Sequence, residues 1–316
     1  MKRLELRAPL SILLLGIVCV ISACAKDNSV LSDYCVEPYC NWESTNQIII
    51  SPFAEFSFSH QSCAVFDKYA FFVANGRARI RMYNLERKRE RYTLELKAVN
   101  GTVFHCNQSC FGVDRYSPTD FFPLLYISQR AQSDNRCFVE VYRILPSWDD
   151  SISDFSSFSI ELVQTIFFPV MSYENSLGNA NCTIDVSRGL LFTYSRNTNV
   201  LEDNYGVCKI SQFTLPKINN KVIVYENEDI EQSFMIDCLA TNMQGGCIQD
   251  GILYVGQGYN SVGYIYLNVV DLTQKILVKR FDLRQFGVYW EPEGCFFYDD
   301  GVMLSHSGGI SKVVKL

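Results

Sequence analysis

Met243-Gln244-Gly245-Gly246-Cys247-Ile248-Gln249-Asp250-Gly251-Ile252-Leu253-Tyr254-Val255 carries a small-residue approach, a cysteine, an Asp-Gly turn and an apolar strand in thirteen positions. The same order recurs four more times. It runs from His60-Gln61-Ser62-Cys63 to Asp67 and Tyr69-Ala70-Phe71-Phe72-Val73. It returns in Asn107-Gln108-Ser109-Cys110 with Asp114, then in Asn179-Ala180-Asn181-Cys182 with Asp185, and last in Pro292-Glu293-Gly294-Cys295 with Asp299-Asp300-Gly301. Each copy reads as a short strand through the cysteine, an Asp-centred turn three or four residues on, and a second apolar strand. Asp and Gly suit such turns because they tolerate left-handed backbone or bond it locally.

Two further strand-like runs follow each of the first four copies, such as Val207 to Phe213 and Lys221 to Tyr225 after the third and Tyr264 to Val270 and Ile276 to Phe281 after the fourth. Four-stranded units repeating every ~40–60 residues, with no amphipathic helical pattern between them, predict an all-β fold. The architecture is a single β-propeller of five four-stranded blades. A sixth blade within residues 129–176 or 197–237 is the alternative count. The fifth copy ends at Leu316 one strand short, while Gln47-Ile48-Ile49-Ile50 and Phe53 to Phe58 precede the first copy without a unit. An N-terminal strand is therefore expected to complete the last blade and close the ring, removing sheet edges that invite aggregation.

The chain has 316 residues, of which 48% are hydrophobic and 20% charged, with a formal net charge of -6. That is a globular composition rather than a disordered one. The acidic balance gives no footing for nucleic acid, which is held by clustered Lys and Arg. The basic run Arg77, Arg79, Arg81, Arg87, Lys88, Arg89 and Arg91 reads as the solvated face of a hairpin.

Residues 1–23 have the layout of a secretory signal: a basic start, an apolar run from Ile12 to Val20, and small residues before a cut. Ile21-Ser22-Ala23-Cys24 resembles the bacterial lipobox. That resemblance implies a lipidated Cys24, a membrane partner through the lipid anchor, and a place at the bacterial cell envelope, on the outer membrane or cell surface. Cleavage without lipidation would instead give a secreted protein. Residues 24–46 then serve as a tether and residues 47–316 as the propeller domain. Of the 13 cysteines, 11 follow Cys24, an odd number. Cys35 and Cys40 flank a short loop and could pair, while His60-x-x-Cys63 and His105-Cys106-x-x-x-Cys110 set a zinc reading against simple packing of small side chains.

Gln244-Gly245-Gly246 before a strand and Glu291-Pro292-Glu293-Gly294 at the last blade resemble propellers of the teichoic-acid-biosynthesis TagC and phage receptor-binding type. The export signal and composition are similar to those of Bacteroides-type surface lipoproteins. The first resemblance implies a five-bladed propeller that binds a glycan or envelope polymer.

Aligned on the cysteine, the copies place Gln61, Gln108, Ala180, Gly245 and Glu293 two residues earlier, and His60, Asn107, Asn179, Gln244 and Pro292 three earlier. This predicts a polar collar at one mouth of the axial channel. Tyr289-Trp290 enters beside Glu291 and Glu293 and offers an aromatic platform, with Trp148 and Tyr259 as other aromatics. The candidate binding residues are Glu293, Glu291, Tyr289, Trp290, Gln244, Gln61, Gln108 and His60. The expected function is an envelope-anchored binding module for a glycan or protein partner, without a cofactor. The alternative is a propeller enzyme using Glu293, either a glycoside hydrolase or lyase or a calcium-dependent phosphohydrolase; calcium suits oxygen donors. No nucleophile elbow is present, and His306 reads as a hairpin-end residue.

Overall fold

The structure is a computed structural model that describes residues 44–50, 60–74, 79–96, 106, 108–129, 137–169, 181–196, 207–237, 243–258, 264–306 and 309–315. The expected signal, Cys24, Cys35, Cys40, His105 and Tyr259 lie outside the described residues.

Strand β1 (Ser44–Ile50) opens the described fold, three residues ahead of the expected domain boundary. Blade one is β2 (His60–Phe66), β3 (Tyr69–Ala74), β4 (Arg79–Asn84) and β5 (Arg89–Glu95). Blade two is β6 (Gln108–Phe111), β7 (Leu125–Gln129), β8 (Phe138–Asp149) and β9 (Asp154–Phe167). Next come β10 (Asn181–Asp185), β11 (Leu190–Arg196), β12 (Val207–Thr214), β13 (Val222–Val224) and β14 (Gln232–Asp237). Blade four is β15 (Met243–Gln249), β16 (Ile252–Gly258), β17 (Ile265–Asp271) and β18 (Ile276–Asp282). The last is β19 (Gly294–Tyr298), β20 (Gly301–His306) and β21 (Gly309–Lys315).

These strands form five sheets, and the five cysteine-bearing strands β2, β6, β10, β15 and β19 each occupy the innermost position. Each inner strand neighbours the next around the ring, and β19 returns to β2. The fold is a five-bladed β-propeller. As expected from the missing strand, β1 pairs antiparallel with β21 (Gln47↔Lys312, Ile48↔Ser311) and completes the last blade.

The stretches that left room for a sixth blade resolve differently. Residues 138–167 form one long hairpin, paired from Phe138↔Phe167 out to Asp149↔Asp154. Val222–Val224, expected as the outer strand of blade three, instead adds parallel to β9 of blade two. The Gln164 amide holds it there by donating to the carbonyls of Lys217 and Asn220 at 3.0 and 2.9 Å. The outer strand of blade three is β14, which pairs with β12.

Strand alternation explains why the blades need both faces apolar. On β3, Tyr69, Phe71 and Val73 join a cluster with blade two, while Ala70 and Phe72 join one with blade five. Three further clusters fill the remaining blade junctions. The junction of blades one and two is the most aromatic. Phe71 meets Phe122 edge-on at 5.2 Å and Phe158 at 5.5 Å, contacts worth about 0.5–1.5 kcal/mol each beyond area burial. A buried Asp154 pins the same junction, accepting from Tyr69 Oη and from Asn84 Nδ2 at 2.9 Å. From Arg79 on, the basic run lies on the outer hairpin of blade one, where Arg79 pairs with Glu95 at 3.0 Å and Arg81 with Glu90 at 3.1 Å.

The turns behave as their residues require. Asp67, Asp250 and Asp299 take φ of 53, 51 and 56°, left-handed values that Asp accepts at modest cost. At the axis the chain is crowded: a Cβ on Gly245 would stand 2.5 Å from the Glu293 carbonyl oxygen, and one on Gly294 would stand 2.7 Å from the Cys63 nitrogen. The small residues before four of the five cysteines thus let the inner strands approach one another.

Candidate functional site: the axial mouth at the head of the inner strands

The cysteine register brings Gln61 and Glu293 together from adjacent blades. Gln61 Nε2 donates to Glu293 Oε1 at 3.2 Å. Gln244 of blade four donates to the Glu291 carboxyl of the approach to blade five. Both amides are aimed by breaks in the strand ladder. Pairing of β2 with β3 passes from His60↔Ala74 to Ser62↔Val73, skipping Gln61. Pairing of β15 with β16 passes from Met243↔Gln257 to Gly246↔Val255, skipping Gln244 and Gly245. Such bulges re-aim side chains next to functional sites.

Gln108 has a different place. Its Oε1 accepts from Gly246 N at 2.9 Å, and its Nε2 donates to the Gly246 carbonyl. The side chain crosses the axis from blade two to blade four and spends its amide there. It is a bridge across the channel rather than a free ligand contact.

Around the carboxyls lie two imidazoles. His60 is buried and packs edge-on against Phe72 at 5.3 Å. His306, at the end of β20, exchanges a hydrogen bond with Ser311 Oγ through Nε2 at 2.9 Å and stacks on Trp290, centroids 5.2 Å apart and planes within 2°. Trp290 is 40% exposed and Tyr289 62%, so both present a face to solvent. The approach that carries them is set by a short 3-10 turn, Leu283–Phe286, capped by Asp282 and ended by Gly287 at φ 79°.

The electrostatics run toward neutrality. Burial pushes the Glu293 carboxyl well above the usual carboxylate range, and the neighbouring Glu291 pushes it further. Burial raises Glu291 to about 7, partly offset by the Gln244 bond. Burial, with His306 nearby, lowers His60 to about 3, and burial lowers His306 to about 4. Burial thus favours the neutral form of both carboxyls and of both imidazoles at the mouth. Glu293 Oε2 and His60 Nε2 are both buried without a hydrogen-bond partner among the described residues, as are Ser62 Oγ and Ser305 Oγ. Four polar atoms in that state each cost ~1–3 kcal/mol unless a ligand or water meets them.

Five of the eight expected residues, Glu293, Glu291, Trp290, Gln244 and Gln61, come together at this mouth, with His60 beside them through the neighbouring His306; Tyr289 stands exposed on the approach next to Trp290. The collar carries two carboxyls, because Glu291 joins through Gln244. His306 is a hairpin-end residue as expected, and it also belongs to the site. The signal for it was the turn at Asp299-Asp300-Gly301: folding the strand back from there pairs Gly294 with Ser305 and sets His306 beside Glu293. Trp148 lies elsewhere, 56% exposed at the far end of the long hairpin.

Among the described residues no three His, Cys, Asp or Glu side chains converge to hold a metal ion. Cys106 instead sits against the Gln129 amide. No disulfide joins the described cysteines, and no described helix is long and apolar enough to cross a membrane.

No protein family and no curated protein sequence matches the chain. Among solved structures it is similar to the glutaminyl cyclase of Myxococcus xanthus, with 11% identity over 90% of this chain and 96% of that one and a TM-score of 0.44. It is also similar to BamB from Moraxella catarrhalis, with 9% identity over 80% and 71% of the two chains and a TM-score of 0.31. A luciferin-regenerating enzyme matches with 11% identity over 85% and 79% and a TM-score of 0.37. These are distant likenesses, and none bears on ligand or chemistry.

Proposed function

We propose that the protein is an envelope-anchored binding module whose axial mouth takes a neutral glycan. The observation that carries this reading is the exposed Trp290 face on the approach to a buried cluster in which Gln61 meets Glu293 and Gln244 meets Glu291. A sugar ring offers an apolar face for the indole and hydroxyls that both donate and accept. A carboxyl that burial holds toward its protonated form and primary amides match such hydroxyls, and a ligand hydroxyl would meet the orphaned Glu293 Oε2 and His60 Nε2. The anchoring part rests on the lipobox-like Ile21-Ser22-Ala23-Cys24; Cys24→Ala should release the protein from membranes. Calcium fits the mouth poorly, since hard cations want ionised oxygens and both carboxyls are held toward the protonated form.

The test is a panel of neutral and acidic oligosaccharides against wild type and Trp290→Ala. A neutral saccharide should bind wild type and lose about tenfold or more in Trp290→Ala, the scale of ~1–2 kcal/mol for a stacking aromatic. Preference for acidic sugars, or indifference to Trp290, would defeat the reading.

One observation favours a second reading. Glu293 and Glu291 are neighbouring carboxyls whose surroundings raise them unequally, the pattern of an acid and base pair in glycoside cleavage. Release of reducing ends from a bound glycan, abolished in Glu293→Gln, would establish that reading in place of simple binding.

A further inference from the structure

Beyond the Gln108 bridge the inner strands enclose a chamber of about 350 Å³ at the other end of the axis. All five blades contribute to its wall, including Val65, Cys110, Ile184, Cys247 and Phe297. The volume falls within the ~300–1,000 Å³ of small-molecule pockets and is about twice the ~150 Å³ apolar cavity that accepts benzene. Its thiols act as apolar wall: burial pushes Cys110 up to about 12 and holds Cys63 and Cys247 well above the usual thiol range.

A second recess of about 340 Å³ shares Val65 and Phe297 with the chamber, and its other walls are Asp67, Lys68, Glu86, Tyr298 and Asp299. Lys68 is engaged with Glu86 at 3.6 Å, while Asp67 and Asp299 enter no ion pair among the described residues. Both aspartates are exposed turn residues at positive φ. The backbone there would accept Asn or Gly equally, so the carboxylates add charge that the turn itself does not require. Arg115, which lines the chamber lip and stacks over the Phe66 ring at 5.6 Å, stands on another blade.

We propose that this end of the axis binds a small amphiphilic cation, its apolar body in the chamber and its ammonium group between Asp67 and Asp299. An apolar cavity adjoining an acidic recess selects against anionic amphiphiles of the same length, because like charge at the head position opposes binding. The site lies at the opposite end of the inner strands from Trp290 and stands independently of the glycan reading.

The test is calorimetric titration with n-octylammonium, n-octanol and n-octyl sulfate below their micellar concentrations. Octylammonium should bind saturably at one per chain and about tenfold or more tighter than octyl sulfate at low salt, the gap narrowing as salt screens the exposed heads. Asp67→Asn with Asp299→Asn should weaken octylammonium and leave octanol unchanged. Val65→Trp should remove binding of both with the circular dichroism intact. If that variant misfolds, Cys110→Phe fills the chamber from another blade and should do the same. Trp290→Ala should change nothing here. Absence of saturable binding, survival of binding in a folded chamber-filling variant, or octyl sulfate binding as tightly as octylammonium would each overturn the proposal.

Discussion

His60 is a buried imidazole whose neutrality the fold enforces, and that makes acid stability a test of the axial mouth. Its proton affinity falls to about 3 in the folded chain, through burial first and His306 second, against ~6.5 in an unfolded one. Because the folded value is depressed, the stabilisation is complete above about pH 6.5 and is lost as pH falls toward 3. At pH 4.5 the unfolded ring is protonated and the folded ring is not. The difference is about two pH units, or about 3 kcal/mol relative to pH 7.5. That is a large fraction of the ~5–15 kcal/mol that holds a typical domain. His60→Asn removes the titration and keeps a neutral polar group. At pH 7.5 the variant should be less stable than wild type by ~1–2 kcal/mol, through lost packing on Phe72. By pH 4.5 the order should reverse, since wild type alone meets the His60 penalty. Urea unfolding of both proteins across this range measures it. Parallel loss of stability in the two would refute a buried neutral His60.

Two other perturbations probe the ring. Gln108→Ala leaves the Gly246 amide and carbonyl facing the axis without their bridge, and should cost about 1–3 kcal/mol in urea unfolding; an unchanged midpoint would show that the bridge is dispensable. Deleting residues up to 51 removes β1 and bares the edge of β21. The melting temperature should fall, and size exclusion should show concentration-dependent association; an unaffected monomer would mean that the last blade closes without it.

The ring was legible because one physical demand, close approach at the axis, acts five times. It leaves Ser62, Ser109, Gly246 and Gly294 before four of the cysteines, so the register could be counted, and a final unit one strand short pointed to β1. The site was legible to the extent that it follows that register, as with Glu293 and Gln61. What the residues did not disclose depends on partners distant in sequence. Val222–Val224 is a strand by composition in any sheet, and its backbone bonds to β9 with the Gln164 contacts to Lys217 and Asn220 decide that it joins blade two. The skipped positions at Gln61 and Gln244 break no local rule, yet they aim both amides at carboxyls. The chamber beyond Gln108 arises from the shared geometry of five strands, so no single copy announces it.

The central claim is that the Trp290-flanked mouth is where a glycan sits. A crystal structure of the protein with the tightest saccharide from the panel tests it most directly. The account predicts a sugar ring over the Trp290 face with a hydroxyl within hydrogen-bond reach of Glu293 Oε2. A saccharide bound elsewhere, with Trp290 and Glu293 untouched, would contradict it.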